Sequence, residues 1–180
     1  MRLSYTTDSI SNTTLVDDAD RPLYTTTSST IGGKTELTKF DQTPDAVTLA
    51  TMHLHQSWES DTITINGQQR LAMDYLIKPS RWSRRRTFTS TSGRAYEWTP
   101  NGNVWKLCLQ DGREVGRSHT RSLRLPGGKK HKPYLEFNDN PDILNDLDEL
   151  VATFVYVQVR REKARRAGSS GAAAGVAVTV

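Results

Sequence analysis

The segment Pro141–Arg166 constrains the fold more strongly than any other part of this chain of 180 residues. It begins with acidic side chains and ends with basic ones, an order that complements the dipole of a helix. Between them lies Leu150–Val159, an apolar run that only Thr153 and Gln158 interrupt. A helix on a protein surface is apolar along one stripe, whereas this run is apolar nearly all the way round. The sequence therefore predicts a helix over about residues 142–163 that the rest of the domain encloses.

Short runs of alternating polar and apolar residues, separated by turn dipeptides, fill the chain before this helix. The Asn66-Gly67 pair is typical of a tight hairpin, and a long strand is predicted over Ala46–Ser57. We count roughly ten to twelve short, mainly antiparallel strands, the pattern of a sandwich or barrel. A closed sheet leaves no strand edge exposed. We therefore predict a β-rich α+β fold whose strands close into a barrel around the hydrophobic C-terminal helix.

The predicted fold forms one domain. We expect this domain to span residues 1–166, because strand and helix signals continue without a linker up to that point. The small residues that follow offer little surface to bury. Residues 167–180 are therefore expected to form a disordered Gly/Ala/Val tail.

The composition argues against several classes of protein. Cys108 is the only cysteine, so neither an intramolecular disulfide nor a cysteine-based zinc site can form. No apolar run reaches the roughly 20 residues that a membrane-spanning helix needs, and the first residues lack the apolar core of a signal peptide. No catalytic triad, phosphate-cradling glycine loop or paired-carboxylate motif is recognisable. We therefore expect an intracellular, cytoplasmic protein that is not an enzyme and carries no cofactor.

The positive charge of the chain is concentrated in its middle third. Residues 81–132 carry thirteen basic and three acidic side chains, a net charge of +10, while the flanking parts are net negative. The sharpest feature there is Arg81–Arg86, four arginines with a tryptophan among them, and a lysine-rich loop follows later. Guanidinium groups fit phosphate geometry, and tryptophan suits a membrane interface. The candidate anion- or lipid-binding residues are Arg81, Trp82, Arg84, Arg85, Arg86, Lys129, Lys130 and Lys132.

Two histidines, His53 and His55, stand two residues apart on a predicted strand and hence on the same face. This spacing can hold a metal ion, but zinc sites use three or four ligands. A third ligand is not evident beside them in the sequence. They are therefore weak metal candidates, and we expect no metal site.

A series of short motifs, in their order and spacing, resembles a fungal family known as domain of unknown function 6593. The motifs that carry the resemblance are Asn12–Thr14, Arg21–Tyr24, Lys34–Thr38, Arg86–Thr89, Gly93–Trp98, Leu107–Leu109, Tyr134–Phe137 and Thr153–Arg161. They cover about residues 2–166. That family is similar in turn to the tubby C-terminal-like superfamily, which includes the phospholipid scramblases and the plant LURP-one-related proteins. The resemblance implies a twelve-stranded barrel threaded by a hydrophobic C-terminal helix.

One segment departs from the pattern of that family. Thr51–Trp58 carries two histidines where the family commonly has a tryptophan in the middle of the strand. The role of this strand face in other members is therefore not carried over to this chain.

Three interpretations of the function remain open at this point. The first is a non-enzymatic binding module that recognises anionic lipid headgroups through basic loops; the resemblance supports it, because tubby domains bind phosphoinositides. The second is a protein–protein interaction or structural domain without lipid binding, in which the arginines pair with an acidic protein or with carboxylates of residues 1–80. The third is a nucleic-acid-associated protein, since basic and aromatic residues interleave over 81–98.

These interpretations imply different partners. Lipid binding implies an anionic membrane surface, at which the protein would be peripheral, and the second interpretation implies an acidic protein. The basic charge is confined to one segment and no known nucleic-acid-binding fold is matched. We therefore expect no specific nucleic acid as a partner.

Overall fold

The computed structural model describes residues 1–29, 33–40, 46–55, 59–121 and 131–172. The strands are Arg2–Tyr5 (β1), Thr13–Val16 (β2), Pro22–Ser28 (β3), Lys34–Phe40 (β4), Ala46–His53 (β5), Thr62–Ile65 (β6), Gln68–Leu71 (β7), Arg86–Thr89 (β8), Ala95–Asn101 (β9), Val104–Leu109 (β10), Glu114–His119 (β11) and Tyr134–Phe137 (β12). The helices are Ala72–Tyr75 (α1), Pro141–Leu144 (α2) and Leu147–Ala172 (α3). The predicted strand-rich α+β class is therefore confirmed.

The strands form one antiparallel sheet in the order β7-β6-β5-β4-β3-β2-β1-β12-β11-β10-β9-β8. Neighbours in the sheet follow one another along the chain except at β1 and β12, where Leu3 pairs with Leu135 and joins the two halves. Buried side chains alternate with less buried ones along the strands. On β9, for example, Tyr96 and Trp98 are buried and Glu97 between them is less so. The prediction of a closed barrel is wrong, because β7 and β8 are the two edges of the sheet and do not pair with each other.

The chain between the two edge strands accounts for the open sheet. β7 runs directly into α1, so the backbone leaves strand geometry before it could pair with β8. Tyr75 of α1 contacts both edges, since its ring centroid lies 5.1 Å from Cζ of Arg70 and 5.9 Å from the ring of Phe88. An isolated bridge between Ile77 and Thr87 then covers part of the β8 edge. The edge backbone is thus protected by local chain rather than by closure.

The sheet curls around α3, as the apolarity of this segment predicts. Residues 150–157 are buried on every side of the helix, and Phe154 is only 1% exposed. The Phe154 ring packs on Trp98 of β9 at a centroid distance of 5.4 Å. The indole Nε1 of Trp98 donates to Oγ1 of Thr153 at 3.1 Å, so the polar residue in the middle of the run is also satisfied.

The C-terminal helical part differs from the prediction at both of its ends. Residues 141–144 form the separate helix α2, and the enclosed helix α3 begins only at Leu147. It then continues to Ala172, into the segment that was predicted to be disordered. Residues 173–180 of the predicted tail lie outside the described residues.

Four buried tyrosines tie the sheet and the helix to acidic side chains. Their hydroxyls donate to carboxylates in the pairs Tyr24–Asp148 (2.7 Å), Tyr75–Glu149 (3.1 Å), Tyr96–Asp146 (2.7 Å) and Tyr156–Asp61 (2.9 Å). Burial, together with the bonded carboxylate, raises the pKa of each of these tyrosines well above its usual value. Three of the carboxylates lie in or beside the first turn of α3, where negative charge also favours the helix dipole. These bonds fix the start of α3 within the sheet.

Candidate anion-binding surface

The C-terminal half of α3 leaves the sheet at one end of the molecule. We call this end, formed by residues 160–166 of α3 and the loops around them, the basic end. Three side chains of α3 donate to carbonyl oxygens of these loops: Arg160 to His55 (2.9 Å), Arg161 to Gly102 (2.5 Å) and Lys163 to Gly33 (3.3 Å). The opposite end holds the acidic first turn of α3 and the turn of residues 17–20. Charge is therefore separated along the axis of the enclosed helix.

The arginine-rich loop Arg81–Arg86 lies at the basic end. β8 begins at Arg86, which pairs with Trp98, and β9 runs from there towards the turn whose Gly102 carbonyl accepts from Arg161. Because the two strands are antiparallel, the residues before Arg86 extend towards that same turn. The topology thus brings the sharpest basic motif of the sequence to the end of the molecule where α3 emerges.

Two arginines of this loop are held by the protein itself. Arg86 is half-buried and donates to the carbonyl oxygens of Ser83 (3.4 Å) and Arg85 (2.9 Å). Burial lowers the pKa of the Arg86 guanidinium, and the nearby Arg160 acts in the same direction. Arg85 forms an ion pair with Glu97 at 3.6 Å. For these two side chains a structural role accounts for their contacts.

Arg81 and Arg84 have different surroundings. Both are exposed, and within the described ranges no carboxylate lies at ion-pair distance from either of them. The expected pairing of the whole cluster with acidic residues of the first 80 is therefore not seen for these two side chains. Their charge remains available to an external anion.

Trp82 projects from this loop with 88% of its surface exposed, the highest value among the large apolar side chains of the described residues. The guanidinium of Arg81 lies over this ring, with its Cζ 5.8 Å from the indole centroid. Trp82 therefore does not pack into the protein. An indole that is exposed next to unpaired cations is suited to an interface that is apolar on one side and charged on the other.

The second predicted basic group is only partly described. Lys132 lies within the described residues, whereas Lys129 and Lys130 lie outside them. The Nζ atom of Lys132 donates to the carbonyl of Thr6 at 3.2 Å. The loop that follows Thr6 is at the basic end, because Ser9 in it donates to Glu162 of α3 at 2.8 Å. Lys132 is therefore at the same end of the molecule as Arg81–Arg86.

The arginines at the end of α3 are functional candidates that sequence reasoning missed. The run Arg160–Arg166 was interpreted only as a complement to the helix dipole. In the structure it lies at the same end of the molecule as the arginine-rich loop, because Arg161 donates to the turn towards which that loop runs. Burial lowers the pKa of Lys78 there, and Arg86 and Arg160 act in the same direction. The charge density of the run was visible in the sequence, but no periodicity relates it to residues 81–86.

His53 and His55 do not share a strand face. β5 ends at His53, and His55 lies in the following loop, where Nδ1 is 3.1 Å from the Ser60 carbonyl and Nε2 is 3.2 Å from Glu59. The last two residues of the predicted strand, 56 and 57, lie outside the described part of the chain. Within the part that is described, no three His, Cys, Asp or Glu side chains are grouped closely enough to hold a metal ion.

A cleft of about 670 Å³ opens beside the β8 edge, lined in part by Tyr75, Phe88, Tyr96 and Cys108. Burial, with Glu114 as the next cause, raises the pKa of the Cys108 thiol. A thiol of this kind is protonated at neutral pH and is a poor nucleophile. The cleft therefore offers no activated cysteine.

Comparison with known proteins adds a family to this geometry. The model of a family described as a family of unknown function, DUF6593, matches residues 8–163, which run from the loop before β2 into the basic part of α3. No curated protein and no solved structure matches the chain. No helix within the described ranges is both long and apolar enough to cross a bilayer.

Proposed function

The chain belongs to the DUF6593 family of unknown function, and on that premise we propose that it is a non-enzymatic module that binds anionic lipid surfaces through its basic end. The observation that carries this proposal is Trp82, which is 88% exposed beside Arg81 and Arg84, two arginines without carboxylate partners in the described residues. Tryptophan partitions into the headgroup region of a membrane, and arginine binds lipid phosphates. Together they form a surface that inserts an indole while neutralising anionic headgroups.

The distribution of charge supports a defined orientation on such a surface. Basic residues of α3 and of the arginine-rich loop gather at one end, and the acidic first turn of α3 lies at the other. A molecule with charge separated in this way turns its positive end towards a negative surface before contact. The resemblance of the sequence to tubby-like proteins, whose plan includes a helix enclosed by twelve strands, also supports a lipid-facing role.

Co-sedimentation with vesicles tests the proposal. Wild-type protein is expected to bind phosphatidylcholine vesicles that contain phosphatidylserine, and to bind pure phosphatidylcholine vesicles far more weakly. In the variant R81Q/W82A, the loss of one interfacial cation costs about 1 kcal/mol and the loss of the indole about 1.5–3 kcal/mol, so binding should fall roughly 60-fold or more. Both side chains are exposed and their removal should leave the melting temperature unchanged.

A matched control removes an exposed apolar residue and an arginine from the other end of the molecule. Val47 and Arg113 are both exposed there, and among the described residues the ion pair of Arg113 is with Asp111. The variant V47A/R113Q should bind vesicles like the wild type. Equal losses in both variants would show that total charge, rather than the basic end, determines binding, and the proposal would fail.

A protein partner with an acidic surface is the second candidate. Tryptophan and arginine are the residue types most enriched among the energetically dominant residues of protein interfaces, and both are exposed on this loop. This alternative is supported if R81Q/W82A loses a partner from a lipid-free lysate while wild-type protein ignores anionic vesicles.

A further inference from the structure

One guanidinium at the basic end has a nitrogen that is both buried and unpaired. Arg161 donates through Nη2 to the Gly102 carbonyl at 2.5 Å and to Oδ1 of Asn103 at 3.4 Å, and its Cζ lies 5.7 Å from the Trp105 ring centroid. Its Nη1 is buried and has no hydrogen-bond partner among the described residues. Leaving a charged donor buried and unpaired costs more than leaving a neutral one. This nitrogen is therefore an unsatisfied cationic donor inside the loops of the basic end.

Two more guanidinium groups lie close to this one. Nη2 of Arg165 donates to the same oxygen of Asn103 at 2.6 Å, so the two helix arginines converge on one amide. Arg84 belongs to the loop that, by the pairing of Arg86 with Trp98, runs towards the turn of Gly102 and Asn103. Burial lowers the pKa of the Arg161 guanidinium, and Arg165 and Arg84 act in the same direction. None of the three has a carboxylate at ion-pair distance in the described chain. Like charges held together without a counter-charge repel one another, and a bound anion relieves that repulsion.

The chemistry of the cluster selects one class of anion. Three guanidinium groups present many N–H donors in planar forks, which fit the oxygens of a phosphate. A phosphate monoester carries a charge of about −1.5 to −2 and three strong acceptor oxygens, whereas a carboxylate carries one charge and two oxygens. A phosphate monoester therefore matches both the charge and the donor count of this cluster better than an acidic side chain does.

We propose that Arg84, Arg161 and Arg165 form a binding site for a phosphate monoester group, with Asn103 positioning the two arginines of α3. This site rests on the proposed function and deepens it. Trp82 and Arg81 contact an anionic surface in general, and the three-arginine site selects a phosphorylated headgroup on it. The same chemistry binds a soluble phosphomonoester, so the experiment separates the two sources.

The first arm uses inositol trisphosphate as a soluble probe. In ¹H–¹⁵N spectra of the full chain, the Trp105 indole and the Asn103 side-chain amide should shift and saturate as the probe is added. The exposed pair R84Q/R165Q should weaken this binding at least tenfold without changing the melting temperature. The control R21Q/R113Q, which removes two arginines from the opposite end, should bind like the wild type.

The second arm uses vesicles of phosphatidylcholine containing either phosphatidylserine, which has no phosphomonoester, or a phosphatidylinositol phosphate, which has one. R84Q/R165Q should lose its preference for the second kind of vesicle, whereas R81Q/W82A should bind both kinds more weakly and keep the preference. Arg161→Lys retains the charge and loses the fork, so it should bind the soluble probe more weakly than the wild type.

The two proposals fail in different ways. If the soluble probe causes no saturable shift, or if R84Q/R165Q binds it as tightly as the wild type, the phosphate site is refuted, whatever the vesicles show. If the probe binds as expected while wild-type protein ignores both kinds of vesicle, the site is one for a soluble phosphomonoester and the membrane function is refuted.

Discussion

Replacing Phe154 by alanine is expected to cost the protein about 3–5 kcal/mol of its free energy of unfolding. The side chain is 1% exposed, so its ring contributes the full transfer free energy of about 1.5–3 kcal/mol. The tilted contact with Trp98, at a centroid distance of 5.4 Å, adds about 0.5–1.5 kcal/mol. A cavity supplies the remainder, because α3 is enclosed by the sheet and the surrounding strands cannot collapse onto it without losing their own pairing.

Urea denaturation followed by tryptophan fluorescence measures this cost. The midpoint should fall while the slope of free energy against urea stays constant, because the surface exposed on unfolding is nearly the same. Val47→Ala is the control: Val47 is exposed on β5, so the change should stay within about 0.5 kcal/mol. A loss below about 1 kcal/mol in Phe154→Ala would mean that the helix is not enclosed, and the account of the fold would be refuted.

Three further outcomes follow from the fold. Above about pH 10, where tyrosines of the unfolded chain ionise, the four buried tyrosines keep their protons because their pKa values are raised, so stability should fall progressively with rising pH. Tyr156→Phe should make this fall less steep in urea titrations, and a profile that stays flat to about pH 11 would contradict the assignment. Gly33→Ala should lower the melting temperature more than Gly93→Ala. Both glycines have positive φ, but a Cβ added at residue 33 would overlap the carbonyl of Leu54, whereas a Cβ added at residue 93 would meet no atom of the described residues within 4 Å. A chain that ends after Arg166 should melt like the full chain, whereas one that ends before Leu150 should not fold; equal melting of the two would contradict the role of α3.

The enclosed helix could be predicted because its signal is local. Leu150–Val159 is apolar whatever surrounds it, and burial on all sides is the only arrangement that satisfies such a run. The alternation in segments such as β9 likewise predicts strands without reference to their partners. These local signals are sufficient to predict a strand-rich α+β fold with a C-terminal helix.

Closure of the sheet could not be predicted because it depends on how two distant edges meet. β7 and β8 are separated by α1, which has a single turn and therefore no helical periodicity to detect. Its Tyr75 reaches Phe88 and Glu149, contacts that no pattern in residues 72–75 indicates. General arguments about exposed strand edges favoured a closed barrel. In the structure α1 lies beside the two edge strands instead, and the sheet stays open.

The candidate surface was predicted in composition but not in arrangement. Arg81–Arg86 stands out in the sequence, yet only the structure separates Arg86, which bonds to backbone carbonyls, from Arg84, which has no carboxylate partner among the described residues. The location of Arg84 and Arg161 at the same end of the molecule results from the register of β8 and β9 and from the length of α3. Such a contact between residues far apart in the chain leaves no local signal.

The position of α3 after the strands that enclose it also affects how a cell makes this protein. The ribosome releases all twelve strands before the helix that fills them, and β1 must wait for β12 before the two halves of the sheet can join. Until α3 emerges, the inner faces of the strands have nothing to pack against, and exposed apolar faces of this kind aggregate. Pairing between such distant segments is also slow. The most vulnerable stage is therefore the interval between the synthesis of β12 and that of α3, when the sheet has to be protected until the enclosed helix arrives.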